Sequence, residues 1–150
     1  MYQRILVPID GSPTSRRGLD EAIRLARLTG AAMRLVHVLD EIVYATAFEA
    51  PGPYLNDLLP HMKRAAERML ADGLALVTKA GIKGDTALLE CYGQRTAERV
   101  VKEADSWHAD LIVIGTHGRR GVSRVFLGSD AEAIVRHAGV PVLLVRAALA

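Results

Sequence analysis

The sequence predicts an open α/β fold, in which helices cover both faces of a parallel sheet. Five short apolar runs alternate along the chain with four helical patterns, which is the β-α-β order of parallel-sheet proteins. The runs are almost continuously apolar, as in strands that are buried on both faces. Right-handed crossovers on both faces of such a sheet leave a crevice where the strand order reverses. A ligand site is therefore expected there.

The predicted strands are the apolar runs themselves. The last run begins Val140-Pro141, and proline is tolerated mainly in a strand at the edge of a sheet. The first and fourth runs, which end at Pro8-Ile9-Asp10 and at Gly115, are expected to be neighbours at the crevice. The five predicted strands span residues 5–9, 33–39, 87–91, 111–114 and 140–145.

Start and stop signals delimit the four predicted helices. Ser12 is the expected N-cap of the first helix, Pro13 occupies its first helical position, and Gly30 ends it. The other three helices are predicted over residues 58–80, after Gly93 and after Ser129. Apolar spacing predicts the buried helix faces: Leu19, Ala22, Ile23 and Ala26; Met62, Ala65, Ala66, Met69, Gly73 and Val77; Ala97, Val100, Val101 and Ala104; Ala133, Ile134 and His137.

One connection is longer than the others. Residues 40–57 contain Pro51, Gly52 and Pro53 and follow neither a strand nor a helix pattern. Loops of this length are usually functional or disordered. The segment is expected to be either a mobile flap over the crevice or a plain linker.

Length and composition restrict the class of protein. The chain is expected to form one domain over residues 1–150. Its net charge of +2 is too small to indicate binding to nucleic acid or to an anionic membrane. Cys91 is the single cysteine, which excludes an internal disulfide and predicts a buried thiol. Since neither a signal peptide nor an apolar run of about 18 residues is visible, a cytoplasmic protein is expected.

A glycine-rich segment joins the fourth strand to the fourth helix. It reads Gly115-Thr116-His117-Gly118, and nine residues separate it from Gly128-Ser129. Glycine lets a backbone turn sharply and approach a bulky anion without a Cβ clash, and the N-terminus of a helix binds phosphate. Arg119, Arg120 and Arg124 add positive charge in the intervening loop. The segment predicts a phosphate cradle, although its spacing differs from the dinucleotide fingerprint and the P-loop.

Four segments resemble the universal stress protein family. They are Ile5-Leu-Val-Pro-Ile-Asp10-Gly-Ser12, Val36-His37-Val38, the run from Asp110 to Arg119, and the close from Gly128-Ser129 to Val145. The resemblance covers the chain end to end, and the G-x2-G-x9-G-S pattern is typical of the family's ATP-binding branch. It implies an adenine nucleotide alpha hydrolase-like, Rossmann-like sheet with strand order 3-2-1-4-5. It also implies a homodimer formed through the C-terminal strand, residues 140–146.

The resemblance implies a role for each matching residue. Asp10 would bind the ribose hydroxyls. The backbone around Val38 would contact the edge of the adenine, and Pro8, Ile9 and Ile114 would pack against the base. Asp130 departs from the family pattern, in which an apolar or small hydroxyl residue is common, and its carboxylate is expected to weaken triphosphate binding. The phosphates would be held by backbone N–H groups, one hydroxyl and two arginines, from Gly115, His117, Gly118, Gly128, Ser129, Arg119 and Arg124.

Plainer interpretations of the same residues remain open at this stage. Asp10 could simply end a strand and begin a turn. Ser129 and Glu132 fit a capping box, which would bond the same amide groups as a phosphate. His37 follows a buried strand pattern that indicates a hydrogen-bonded structural residue, and Trp107 is expected to pack before the fourth strand.

The predicted function is regulatory: a stress-response protein that binds ATP, or AMP or ADP, with any Mg²⁺ arriving on the nucleotide. Neither a P-loop lysine nor paired Mg²⁺-binding acids are evident, so ATP hydrolysis is expected to be slow at most. Nucleotide would order the loop and the flap and alter what an unidentified protein partner binds. The alternative is a dimeric interaction module of the same fold that has lost nucleotide binding. A phosphoacceptor receiver is disfavoured because Cys91-Tyr92 stands where acids are needed.

Overall fold

The computed structural model describes residues 1–39, 55–91, 93–116 and 127–146. Strands and helices alternate along these residues in the predicted order. The strands are β1 (Arg4–Pro8), β2 (Ala32–Leu39), β3 (Gly84–Glu90), β4 (Leu111–Gly115) and β5 (Val142–Val145). The helices are α1 (Pro13–Thr29), α2 (Leu55–Lys79), α3 (Thr96–Trp107) and α4 (Ser129–His137).

The five strands form one sheet in the order β3-β2-β1-β4-β5. Every neighbouring pair is parallel, so the predicted fold class and strand order are confirmed. The chain winds outward from β1 to β3 and then crosses to β4 on the other side of β1. The reversal therefore lies between β1 and β4, and the carboxyl ends of these two strands are the expected place for a ligand.

Two apolar cores separate the sheet from its helices. Ile5 and Val7 of β1 lie in the core beneath α1 and α2, whereas Leu6 lies in the core beneath α3 and α4. Successive residues of a strand point to opposite faces, so a strand that enters both cores is apolar throughout. This explains the continuous apolar runs. Cys91 is buried, as its run predicts.

The boundaries of α1 follow the predicted signals. The Ser12 side chain accepts a hydrogen bond from the Ser15 N–H at 3.1 Å, and Pro13 begins the helix. Gly30 ends it with a left-handed φ of 73°, a conformation that favours glycine. In the described part of the chain, no helix is long and apolar enough to cross a membrane.

Three other boundaries differ from the prediction by more than one residue, whereas the remaining strand ends differ by one residue at most. β3 begins at Gly84, not at residue 87, because its small and polar first residues pair with β2 without forming an apolar run. β5 begins at Val142, not at residue 140, since Pro141 has no N–H for a ladder and contributes only its carbonyl. α2 begins at Leu55, so the end of the predicted 40–57 connection is helical. Residues 40–54, where a flap was expected, lie outside the described residues.

The predicted helix faces are mostly confirmed, with two corrections. Ala65 is exposed and Leu70 is buried instead, because the buried stripe of α2 follows Ala66, Leu70 and Val77 at helical spacing. His137 is also exposed. It lies in the last turn of α4, where its Nδ1 donates to the Ala133 carbonyl at 2.8 Å, and this bond keeps the imidazole at the surface.

A polar and aromatic cluster closes the end of the sheet where the strands begin, the amino edge. Arg34 bonds Asp85 through two nitrogens, each at 2.7 Å, and Glu103 through a third at 2.8 Å. The Arg34 and Arg4 guanidinium groups lie 5.0 and 5.3 Å from the Trp107 ring centre. The hydrogen bond to Asp85 raises the pKa of Arg34 above its ordinary value, against the effect of burial, and the bond to Glu103 adds to the rise. Trp107 is thus a packing residue, as predicted.

Candidate functional site

The opposite end of the sheet, the carboxyl edge, opens between β1 and β4 because Pro8 lacks a backbone N–H. The Ile9 N–H donates to β2 at 2.8 Å, and the Arg4 carbonyl accepts from the residue before β4 at 2.9 Å. Odd-numbered residues of β1 therefore face β2, and even-numbered residues face β4. Pro8 faces β4 and cannot donate to it. Pairing with β4 accordingly ends at Leu6↔Ile112, while pairing with β2 continues to the end of β1.

Val38 presents its backbone to the space beyond the end of β1, next to this opening. Even-numbered residues of β2 face β1, as the Val36 carbonyl does when it accepts from the Ile9 N–H. Val38 is the next even residue, and β1 pairs with β2 only as far as Pro8. A further rung would join the Val38 N–H to the Ile9 carbonyl, but among the described residues that carbonyl accepts from His37 Nδ1 at 2.7 Å instead. The prediction that His37 is hydrogen-bonded is confirmed.

Asp10 follows β1 in a turn that is built together with the start of α1. Its Oδ1 accepts from the Ser12 N–H at 2.9 Å, and its own N–H donates to Ser15 Oγ at 3.1 Å. Gly11 supplies the left-handed φ of 79° that the turn needs. The turn interpretation of Asp10 is therefore confirmed. These two bonds hold Asp10 in place at the carboxyl end of β1.

Gly115 ends β4 directly against the first turn of α1. A Cβ at this position would lie 2.7 Å from the carbonyl carbon and oxygen of Thr14 and 3.0 Å from the Ser15 nitrogen. Its φ is not left-handed, because the described glycines with positive φ are at other positions. The structure therefore gives Gly115 a role that spacing does not predict, which is to let α1 and β4 touch backbone to backbone.

Two residues of α1 contribute to this contact without any motif that singles them out. Gly18 faces β4, where an added Cβ would lie 3.3 Å from the Gly115 nitrogen. Ser15 is buried and holds the Asp10 amide. The available signal is the short spacing of small residues near the start of a helix, which indicates a close approach to a neighbouring element.

The described ends of the glycine-rich loop meet each other. The Gly128 N–H donates to the Thr116 carbonyl at 2.8 Å, and α4 begins immediately afterwards with Gly128 as its N-cap. The capping-box prediction is wrong, because Ser129 is the first helical residue instead of the N-cap, and Glu132 pairs with Arg136 at 2.8 Å. The first amides of α4 consequently receive no bond from an N-cap side chain.

Charge distinguishes two of the helix N-termini at the carboxyl edge, those of α1 and α4. The first turn of α1 contains no acidic residue, and its N-cap side chain is bonded. The first turn of α4 contains Asp130 and Glu132, and Asp130 is exposed. Carboxylates stabilise a helix N-terminus, and they also repel an anion that would bind there. That Asp130 weakens phosphate binding stays a prediction, and it concerns a helix whose N-cap, Gly128, has no side chain.

The structure brings only part of the predicted site together. Val38 packs against the core beneath α3 and α4, which includes Ile114, and alternation places Pro8 on the same face of β1. Ile9 is not with them, because its side chain is 7% exposed and lies in the opposite core. Only its backbone adjoins the opening. Four predicted phosphate ligands lie outside the described residues: His117, Gly118, Arg119 and Arg124.

Comparisons with known proteins agree with this architecture. A model of the Universal stress protein family matches residues 1–146. A universal stress protein of Methanocaldococcus jannaschii is 32% identical over 148 residues, which cover 97% of this chain and 83% of that protein. A structure from the same family in Burkholderia pseudomallei has 35% identity and a TM-score of 0.78, with 97% of each chain covered.

A third relative was solved with a ligand. The universal stress protein from Archaeoglobus fulgidus in complex with dAMP is 26% identical, with a TM-score of 0.66 over 96% of this chain and 98% of that one. The family model and the first relative match nearly the whole chain. The chain belongs to the universal stress protein family.

Proposed function

We propose that this protein binds an adenine nucleotide at the carboxyl edge, between the ends of β1 and β4. The backbone of Val38 carries the proposal. Its N–H and carbonyl face the same side, beyond the last paired residue of β1. A donor beside an acceptor matches adenine, whose N1 accepts and whose amino group donates. The dAMP bound by the Archaeoglobus fulgidus relative supports this choice of ligand.

The base and the ribose are assigned to residues around the opening. Pro8, Val38 and Ile114 supply apolar surface on one face of the sheet, whereas Ile9 contributes backbone only. Asp10 accepts from the ribose hydroxyls, and its bond from the Ser12 N–H holds the carboxylate in place for this. An ionised acceptor at this position favours a sugar with free hydroxyl groups.

The phosphates are assigned to the start of α4. Gly128 and Ser129 lie where the helix amides and the positive end of the dipole favour an anion, and the Ser129 hydroxyl adds a donor. The amide of Gly115 lies beside them, since Gly128 is bonded to the residue that follows Gly115. His117, Gly118, Arg119 and Arg124 complete the cradle in this proposal.

We further propose how many phosphate groups the bound nucleotide carries. The G-x2-G-x9-G-S pattern favours ATP, with Mg²⁺ bound to the triphosphate. Asp130 opposes this, because its carboxylate stands in the first turn of α4. AMP, which carries fewer charges, is the ligand that Asp130 penalises least. Slow ATP hydrolysis is the most catalysis that we propose.

The proposed role of binding is regulatory, in a cytoplasmic homodimer that responds to stress and contacts a protein partner. Among the described residues, β5 pairs only with β4, and Leu143 is 37% exposed. An apolar edge strand of this kind invites pairing with a second copy. We therefore propose residues 140–146 as the dimer contact. The alternative function is a dimeric module of the same fold that does not bind nucleotide.

Calorimetric titration tests the nucleotide proposal. We expect the wild-type protein to bind AMP and ATP, and GMP at least about tenfold more weakly, as the loss of one good hydrogen bond implies. Asp10→Asn should lower AMP affinity about tenfold, because hydrogen bonds to a charged acceptor are the stronger kind. Asp20→Asn, which neutralises an exposed acid on α1, is the matched control and should leave the affinity unchanged.

Two outcomes of this experiment oppose the proposal. Failure of both AMP and ATP to bind at millimolar concentration would favour the interaction module without a nucleotide. An Asp10→Asn variant that binds AMP as well as the wild type would remove Asp10 from the ribose site. Light scattering on the same samples should give the mass of a dimer with and without AMP, and a monomer mass would contradict the β5 contact.

A further inference from the structure

The Ile9 carbonyl has an unusual partner for a residue at the end of a parallel strand pair. The ladder between β1 and β2 ends with the Ile9 N–H bonded to the Val36 carbonyl at 2.8 Å. In a regular ladder the Val38 N–H would donate next to the Ile9 carbonyl. The carbonyl accepts from His37 Nδ1 at 2.7 Å instead. Because a carbonyl only accepts, Nδ1 carries the hydrogen of this bond.

The imidazole thus substitutes for a main-chain donor. Ile9 is well anchored, since its side chain is buried beneath α1 and α2 and its N–H is bonded to β2. Without His37, a half-buried carbonyl would need another donor, and the Val38 N–H is the one that the strand geometry brings next to it. With His37, that N–H stays on the open side of β2.

We propose that His37 is a positioning residue for base selection: by satisfying the Ile9 carbonyl, it keeps the Val38 N–H available to read the base. This inference rests on the proposed nucleotide function and deepens it. An exposed amide donor selects a base with an acceptor at the facing position. Adenine has an unprotonated N1 there, whereas hypoxanthine carries a hydrogen on N1. His37 would therefore set the preference for AMP over IMP without touching either ligand.

Two substitutions separate this role from simple packing. His37→Leu removes the donor, and the Val38 N–H is then expected to bond the Ile9 carbonyl. His37→Asn keeps an N–H at nearly the position of Nδ1. We expect the ratio of AMP to IMP affinity to fall about tenfold in the leucine variant, the value of one hydrogen bond. The asparagine variant should keep the wild-type ratio within about threefold, since its amide is a neutral donor of similar strength.

Amide exchange measured by NMR tests the role of His37 without any ligand. By NMR, the Val38 amide of the wild-type protein should exchange with solvent much faster than the Val36 amide, and His37→Leu should slow that exchange while His37→Asn should not. If Val38 is as protected as Val36 in the wild type, the inference is wrong. An unchanged affinity ratio in His37→Leu, or an equal loss in both variants, would also overturn it.

The two tests distinguish failure of the inference from failure of the proposed function. If the wild-type protein binds neither AMP nor IMP, the nucleotide proposal fails, and the inference about base selection fails with it. The exchange pattern would then still show whether His37 releases the Val38 amide. If AMP binds but the substitutions change neither the ratio nor the exchange, only the role of His37 is wrong.

Discussion

The two edges of the sheet differ in how their polar groups are used. At the amino edge, the Asp110 carboxylate accepts from the Gln3 and Arg4 amides at 2.7 and 2.9 Å. Arg4 also donates to the Trp107 carbonyl at 2.7 Å. At the carboxyl edge, Pro8 has no N–H to donate, α4 has a glycine N-cap, and the Val38 amide faces an opening.

If the proposed function is right, the contacts that stabilise the fold and the site that binds the ligand lie at opposite edges of the sheet. At the amino edge, polar groups that bond one another connect the strands to α3. At the carboxyl edge, the groups without a strand partner among the described residues are those proposed to contact the ligand. The hydrogen bond to Asp85 also raises the pKa of Arg34, so this guanidinium stays charged near neutral pH. A raised pKa means that the contribution of Arg34 is complete below its ordinary pKa and is lost only as pH rises through the higher value. The contacts of Arg34 are therefore tested by substitution and not by a change of pH.

The largest effect is expected from Trp107→Ala at the amino edge. The substitution removes the ring on which both Arg34 and Arg4 lie and leaves a cavity. We expect the free energy of unfolding to fall by about 3 kcal/mol, the scale of removing a large aromatic side chain together with cation–π contacts. AMP affinity should stay within about twofold, since distant sites are usually independent.

Chemical denaturation and calorimetry check this prediction together. Trp107→Phe retains an aromatic face and should lose clearly less stability than the alanine variant. A large loss of AMP affinity in folded Trp107→Ala would show that the two edges are coupled, and it would contradict the separation drawn above.

Gly115→Ala is expected to have an intermediate effect on both properties. The added Cβ would lie 2.7 Å from the Thr14 backbone, so α1 must move, and overpacking of this kind costs about 1–3 kcal/mol. The start of α1 also holds Asp10 through Ser15, so AMP affinity should fall as well. Gly139→Ala, where nothing lies within 4 Å of the added Cβ, is the control. Equal denaturation midpoints for the two variants would contradict the close contact at Gly115.

The smallest effect is expected from Asp130→Asn. Removing this charge should lower the free energy of unfolding by about 0.3–1 kcal/mol through the helix dipole. ATP affinity should rise about tenfold and AMP affinity less, since unit charges 4 Å apart interact on a scale of about 4 kcal/mol at an effective dielectric of 20 before screening. Glu132→Gln, which neutralises the other acidic residue in the first turn of α4, is the matched control. Equal changes for ATP and AMP would show that Asp130 does not face the phosphates.

Much of the fold could be predicted because buried segments can be recognised from the positions of their apolar residues. Strands buried on both faces are apolar throughout, and the Ser12-Pro13 start and the Gly30 stop delimit α1. Element boundaries and helix faces were predicted least accurately where the residues are only partly buried. The start of β3 is polar and half exposed, so it carries no apolar run. The buried face of α2 was assigned to Ala65, although the stripe passes through Leu70.

The site was predicted less completely, because its residues act through their neighbours. Motifs indicate Asp10 and the glycines as candidate site residues, but they do not indicate the contacts that these residues make. Ser129 matched a capping box by spacing, yet a spacing does not say which residue begins the helix, and Gly128 is the N-cap. Ile9 was expected to wall the base, and alternation along β1 places its side chain in the opposite core.

The sequence by itself determined the alternation of strands and helices, the family, and the residues around which a nucleotide site is proposed. These follow from hydrophobic periodicity, helix signals and local motifs, all of which act over a few neighbouring residues. Only the tertiary structure decided which backbone groups at the carboxyl edge have no strand partner among the described residues. That depends on the register between strands distant in sequence, which sets Pro8 against β4, gives the Ile9 carbonyl to His37, and leaves the Val38 amide facing the opening.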